Sequence, residues 1–237
     1  MKPNETETDR EAVRTEELWK IFEQEAEEVK AVRGVSITIE RGEFTALAGP
    51  SGSGKTTLLN LIGGLTEATR GRVWVAGRDL TEMSKRELAR LRLEHVGFVF
   101  QAYNLLPVLT AMENAEFPLL LQGVEERERR ERVGALFERT GLTGLEDRRP
   151  GKLSGGQQQR VAVIRAVVGS PALVLADEPT ANLDSAASDA LLDVMEELNR
   201  DLGTTFVFAT HDARVMERSR RLVRLVDGSV SEDERRA

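Results

Sequence analysis

Gly49-Pro50-Ser51-Gly52-Ser53-Gly54-Lys55-Thr56-Thr57 decides how the rest of the chain is read. It satisfies G-x-x-x-x-G-K-[ST], and its flanks fit the pattern. Before it, Phe44-Thr45-Ala46-Leu47-Ala48 is a short apolar run that predicts a buried strand. After it, Lys55 to Ile62 predicts a helix that stops at Gly63-Gly64. The glycines let the backbone curl into a concave nest whose N–H groups point at phosphate oxygens. The helix N-terminus adds partial positive charge. Lys55 supplies a mobile ammonium for the β- and γ-phosphates, and the Thr56 hydroxyl suits Mg²⁺. The stretch predicts binding of a nucleoside triphosphate.

Composition narrows the class. Of 237 residues, 40% are hydrophobic and 31% charged, as in ordinary globular proteins. No apolar run approaches the ~18 residues that suggest a membrane-spanning helix. The polar stretch from Met1 to Glu17 lacks the apolar core of a signal peptide, so the chain is expected to stay in the cytosol. The absence of cysteine excludes disulfides and thiolate metal sites. A net charge of −7 argues against nucleic acid as a partner.

Residues 1–15, Glu-rich and without periodicity, read as a disordered leader, and 16–237 as one domain. Leu18 to Phe22, Val29 to Val32 and Val35 to Ile39 predict small strands of an antiparallel layer. Arg72 to Ala76 and Val96 to Phe100 predict further strands, and Ser84 with Glu87 forms a capping box that opens a helix. A helical insertion follows over about 102–160, with helices from Ala111 to Gln122, broken near Pro118, and from Glu125 to Thr140. Ala172 to Ala176 is a continuous apolar run, as expected of a parallel strand covered on both faces. A helix from Ala186 to Leu202, a strand from Thr205 to Ala209 and a helix from Asp212 to Ser219 come next. Arg221 to Val226 pairs with Ser229-Val230 across Asp227-Gly228 as a hairpin. The expected architecture is α/β, with a parallel core sheet, an N-terminal antiparallel β layer and an inserted helical subdomain.

Two further features carry chemistry. In Leu153-Ser154-Gly155-Gly156-Gln157-Gln158-Gln159-Arg160, Ser154 and Gln157 form a capping box, and bare amides at that helix N-terminus offer a second anion site. The same residues also suit an ordinary helix cap. Asp177-Glu178-Pro179 ends the apolar strand, at the sheet edge where ligands of α/β proteins collect. Asp177 fits a Mg²⁺ contact, and Glu178 fits a base that polarises attacking water. Solvated strand-end acids are the plainer reading.

Taken in order, the P-loop, Leu153-Ser154-Gly155-Gly156-Gln157, Leu173 to Thr180 and Ala209-Thr210-His211-Asp212 resemble the nucleotide-binding subunit of an ABC transporter, over roughly Thr15 to Val230. The resemblance implies a P-loop NTPase core of the RecA-like kind. It also implies an ATPase with ATP and Mg²⁺, in which the signature residues Ser154, Gly155, Gly156 and Gln157 cover the γ-phosphate of an ATP held by a second copy. The active unit would be a head-to-tail dimer around two ATPs. Gln101 matches the Q-loop glutamine, contacting Mg²⁺ and water, and His211 matches the switch histidine that holds Glu178. Asp184, in Asn182-Leu183-Asp184, matches the loop crossing the dimer interface. Phe22 aligns with the adenine-stacking aromatic, usually tyrosine, and is followed by Glu23, Glu25, Glu27 and Glu28. Phenylalanine keeps the π-face, while acidic neighbours would repel phosphates that came near. Ile164 stands where alanine is common, and His95 reads as structural.

Val96 to Pro107, Leu109-Thr110-Ala111, Glu113-Asn114 and Pro118 to Leu121 are similar to lipoprotein-release and macrolide-export ATPases of the LolD/MacB type. That implies an integral membrane permease as partner, with the chain on the cytoplasmic face of the inner membrane. The segment from Tyr103 to Leu109 would line the groove for the partner's coupling helix. An amino-acid importer ATPase or a cell-division ATPase is the alternative within the family. A soluble ABC ATPase acting on DNA or ribosomes is the alternative outside transport, and the single cassette without cysteines disfavours it.

Overall fold

The computed structural model describes residues 10–24 and 27–236. Strands β1 (Glu11–Gln24), β2 (Glu27–Val35) and β3 (Thr38–Glu40) come first, then β4 (Phe44–Ala48) and helix α1 (Lys55–Ile62). Next are β5 (Arg70–Val75), β6 (Arg78–Asp79), α2 (Lys85–His95) and β7 (Val96–Phe100). Helices α3 (Ala111–Leu121), α4 (Glu126–Arg139) and α5 (Gly155–Val167) form the middle of the chain. The chain then runs through β8 (Leu173–Asp177), α6 (Ser185–Leu202), β9 (Thr205–Thr210), α7 (Ala213–Arg218), β10 (Arg221–Val226) and β11 (Ser229–Arg235).

The main sheet has the order β11-β10-β4-β9-β8-β7. Every pairing from β10 to β7 is parallel, and β11 is added antiparallel through its hairpin. A parallel sheet needs cover on both faces, and alternate residues of one strand supply it. Phe206 and Phe208 of β9 join a core with Phe44, Val174, Leu191 and Met195, while Val207 and Ala209 join Leu58, Leu59 and Leu175 on the other face. The Phe44 and Phe208 rings meet at 4.6 Å between centroids. The second sheet, β2-β1-β5-β6 with β3 also paired to β1, is antiparallel and closes over the α1 side.

Three expectations are corrected. Strand β1 starts at Glu11, so residues 11–15 belong to the sheet and not to a leader; residues 1–9 lie outside the described residues. Ala12 and Val13 are fully buried, and the charged residues around them mask this in the sequence. The stretch Val35 to Ile39 is not one strand, because the chain leaves β2 and re-enters as β3. The Thr15 hydroxyl bridges that break: it donates to the Val35 carbonyl and accepts from the Ile37 N–H, both at 3.0 Å. Helix α3 runs through Pro118 without a break. Proline there forfeits one backbone bond, and Ala111, Ala115 and Leu119 bury a face that holds the helix together. The capping box at Ser84 forms as expected, and Gly203 ends α6 with a φ of 65°. Among the described residues no helix is long and apolar enough to cross a membrane.

Candidate functional site

Strand β4 is buried throughout and lies between β10 and β9, so the loop after it opens at the carboxyl edge of the sheet. Two glycines there are obligatory. A Cβ on Gly49 would sit 2.3 Å from the Leu225 carbonyl oxygen, and one on Gly54, with φ 98°, would sit 2.2 Å from that of Ala31. The backbones of β10 and β2 therefore occupy the space a side chain would need. Gly54 also caps α1 and provides no side-chain acceptor, so the first amides of the helix stay available to an anion. The Lys55 ammonium folds back onto the loop, donating to the carbonyls of Gly49 at 2.8 Å and Pro50 at 2.9 Å.

A cleft of about 810 Å³ opens over this loop. Pro50, Ser51, Gly52, Gly54, Lys55, Thr56, Thr57, Gln101, Glu178 and His211 all line it, while Gly49 and Ser53 are not among the lining residues. A further wall is β2, through Glu28, Val29, Lys30, Ala31 and Arg33, which the sequence alone did not nominate as a wall. Nothing in the β2 run marks it as such; only the packing of Ala31 on Gly54 does.

The acidic pair is assembled by neighbouring strands. β8 ends in Asp177 and β9 carries Thr210 at its end, so parallel pairing brings Asp177, Glu178, Thr210 and His211 to one edge. Thr56 Oγ1 donates to Asp177 Oδ1 at 2.9 Å, joining residues far apart in sequence. Glu178 adopts a left-handed φ of 45° with its N–H on the Ala209 carbonyl. Its Oε2 accepts from the Thr210 hydroxyl at 3.1 Å, and its Oε1 lies 2.7 Å from His211 Nδ1. Non-glycine residues in that conformation are strained and persist where the surroundings hold them.

Burial pushes the Asp177 carboxyl above the ordinary aspartate range; the Thr56 hydrogen bond opposes this, the Glu178 charge adds to it, and Lys55 opposes it. The folded chain thus holds that proton more tightly than the unfolded chain does. Stability gained from protonated Asp177 is present at low pH and is lost as pH rises through the raised value. Asp177→Asn is therefore expected to raise the thermal midpoint of nucleotide-free protein at about pH 7, with a gain that shrinks as pH falls toward about 4. Thermal scans across that range check it, and a lowered midpoint at neutral pH would show that the Thr56 bond outweighs burial.

The remaining predicted residues fall elsewhere. Gln101 faces the cleft and exchanges bonds with Asn182: Asn182 Nδ2 donates to its carbonyl at 2.9 Å. Ser154 caps α5 in a complete capping box with Gln157, while Asp184 caps α6 by accepting from the Ala187 N–H at 2.8 Å. Ser154, Gly155, Gly156, Gln157 and Asp184 are not among the residues lining the cleft of their own chain. Gly155 instead faces the Tyr103 hydroxyl, and Gly156 faces Ala187. Phe22 is 39% exposed on β1, opposite Val29, with the Lys20 ammonium 4.9 Å from its ring centre. It too lies outside the cleft lining, although Val29 is part of it. Of the acids beside it, Glu28 lines the cleft and Glu25 is outside the described residues. Gln159, which sequence reasoning passed over, is fully buried beneath the site.

The sequence model of the ABC transporter family matches residues 32–181, a span that holds the P-loop, Gln101, Ser154 to Gln157 and the Asp177-Glu178 pair. The chain belongs to the ABC transporter family. It is 44% identical to the lipoprotein-releasing system ATP-binding protein LolD of Alcanivorax borkumensis, over 91% of this chain and 95% of that protein. It is 48% identical over 87% of its length to the macrolide export ATP-binding/permease protein MacB of Hyphomonas neptunium, but spans only 32% of that longer protein. Its fold matches the dimeric ATP-binding cassette MJ0796 in a post-hydrolysis state bound to ADP and Pi. That match has TM-score 0.87 and 38% identity, and covers 94% of this chain and 98% of that one. The ABC cassette described here is thus an ATP-binding subunit and an ATPase with the P-loop NTPase fold.

Proposed function

We propose that this cassette works as one half of a head-to-tail homodimer that closes around two ATPs and drives an integral membrane subunit, in lipoprotein release, efflux or mechanotransmission. The observation that carries the dimer is the separation of its two anion sites. Ser154 and its glycines stand outside the cleft that holds Lys55 and Thr56, so one chain offers half of each site. A second copy supplies the other half, with Asp184 at the seam between the two. The MJ0796 cassette, similar over nearly the whole chain, is a dimer bound to ADP and Pi.

Within each site, Gly49 to Thr57 cradle the phosphates, and Lys55 leaves its loop carbonyls for the β/γ-phosphate oxygens. Thr56 Oγ1 and Asp177 Oδ1, within hydrogen-bonding distance of each other, are the hard oxygen atoms that would hold Mg²⁺. Gln101, which directly follows β7 and lines the same cleft, would be the third residue to hold it. When bound, that ion neutralises charge developing on the transferred phosphoryl group. Glu178 takes the proton of the attacking water, and His211 holds the carboxylate and meets the γ-phosphate. Phe22 stands outside the cleft lining but pairs with Val29, which lines it, and from there offers adenine a π-face.

The partner surface is a groove of about 420 Å³ between the strands and the helical insertion, walled by Leu65, Phe98, Phe100, Phe117, Pro118 and Leu121. An amphipathic coupling helix fits such a groove. Of the segment Tyr103 to Leu109, Asn104 lines it, while Leu106 and Val108 are exposed. The LolD and MacB likenesses favour a transporter at the cytoplasmic face of the inner membrane. Affinity capture of the Glu178→Gln protein from gently solubilised membranes, with and without ATP, tests this. Co-purification of an integral membrane protein is expected, and its topology separates export or mechanical work from amino-acid import. Recovery of ribosomes or soluble partners alone would end the transport reading and leave the ATPase standing.

A further inference from the structure

Helix α5 starts at the signature serine, and two of its side chains reach out to hold backbone elsewhere. Gln159 is fully buried. Its Nε2 donates to the Pro179 carbonyl at 2.7 Å and to the Phe100 carbonyl at 3.3 Å. Pro179 follows Glu178, and Phe100 precedes Gln101. One amide group therefore ties the turn bearing Glu178 to the strand end bearing Gln101. Farther along α5, Arg165 donates to the carbonyls of Tyr103 at 2.8 Å and Asn104 at 2.6 Å. Those two residues have φ values of 60° and 51°, a left-handed pair held from α5. The helix thus grips the chain on both sides of Gln101.

Packing alone does not account for Gln159. Its Oε1 is buried without a hydrogen-bond partner among the described residues. An enclosed position with an orphaned acceptor favours an apolar side chain of the same length, since the unpaired oxygen works against the fold. What glutamine adds there is the pair of donor bonds, and both end one residue away from a group proposed above to act on ATP.

We propose that Gln159 is a positioning residue that links the signature end of α5 to Glu178 and Gln101 of the same chain. This rests on the roles proposed above for those two residues. When Ser154 and its glycines engage a nucleotide held by the second copy, α5 shifts as a rod. The Gln159 amide turns that shift into a displacement of the Pro179 and Phe100 carbonyls. Glu178 and Gln101 then reach working geometry only while the partner's ATP is engaged. Arg165 fixes the chain beyond Gln101, so the pull is not lost into the following loop.

The test replaces Gln159 by methionine, which keeps the length and deletes both donor bonds together with the orphaned oxygen. The fold is expected to hold, with Gln159→Leu as a second variant should the first unfold. The expected result is a kcat for ATP lowered about tenfold or more, with KM for ATP within about twofold of wild type. ATP-driven dimers are expected to persist in the Glu178→Gln background. Combined with Gln101→Ala, the loss in kcat is expected to be well below the product of the single losses, as for residues that act as a unit. An unchanged kcat would overturn the proposal, as would a fall accompanied by an equal rise in KM and a lowered thermal midpoint. If Glu178→Gln itself hydrolyses ATP at the wild-type rate, the assignment of Glu178 fails instead, and the kcat-against-KM pattern of Gln159→Met still shows whether the tether matters.

Discussion

Glu178→Gln is expected to bind ATP within a few-fold of wild type and to hydrolyse it about 10²- to 10³-fold more slowly. The affinity survives because the phosphate cradle is built from other residues: the loop backbone, Lys55 and the N-terminus of α1. Glutamine preserves the shape of the side chain. It can still accept from the Thr210 hydroxyl, so the turn at φ 45° keeps its support. What it loses is basicity. A neutral amide cannot take a proton from water, and general-base catalysis of this kind contributes roughly 10² to 10⁴ in rate. With closure intact and hydrolysis blocked, the variant is expected to accumulate as an ATP-bound dimer, read by size-exclusion chromatography with and without nucleotide. Phosphate release at the wild-type rate would remove Glu178 from its assigned role.

Lys55→Ala is expected to weaken ATP binding by about 10²-fold, measured by nucleotide titration. Lys55 is 7% exposed, and its ammonium rests on two loop carbonyls. Those bonds hold the cation over the place where phosphate arrives, so little ordering remains to be done on binding. Charge-assisted hydrogen bonds contribute about 1.5–3 kcal/mol each, and losing a single one already corresponds to roughly ten- to a hundredfold in affinity. The loop itself is expected to survive, because its glycines are fixed by the packing of Gly49 on Leu225 and Gly54 on Ala31. Unchanged ATP affinity in this variant would count against the cleft as the nucleotide site.

The elements of the core were legible because their signals are local. A five-residue apolar run before the glycine loop, a capping box at Ser84 and another at Ser154, and a left-handed glycine after Leu202 each fix an element from its own neighbours. The start of β1 was not legible, since Ala12 and Val13 are buried by partners on β3 and β5 while charged residues flank them. The continuity of α3 through Pro118 was missed for a related reason: a local breaker signal was overruled by a face buried against α4 and α5.

The sequence by itself determined the chemistry available: a phosphate loop, an acidic pair at a strand end, a histidine after the next strand and a second helix N-terminus with glycines. Spacing along the chain specifies residue types and the elements that carry them. The tertiary structure decided which of these meet. It brings Thr56 onto Asp177 and His211 onto Glu178 through the strand order β4-β9-β8, and makes β2 a wall of the cleft through the packing of Ala31 on Gly54. It also leaves Ser154 and Phe22 outside that cleft and buries Gln159 between the two carbonyls it holds. Side-chain meetings of this kind depend on which strands become neighbours in the sheet, and that is settled by burial of whole faces rather than by any local run of residues.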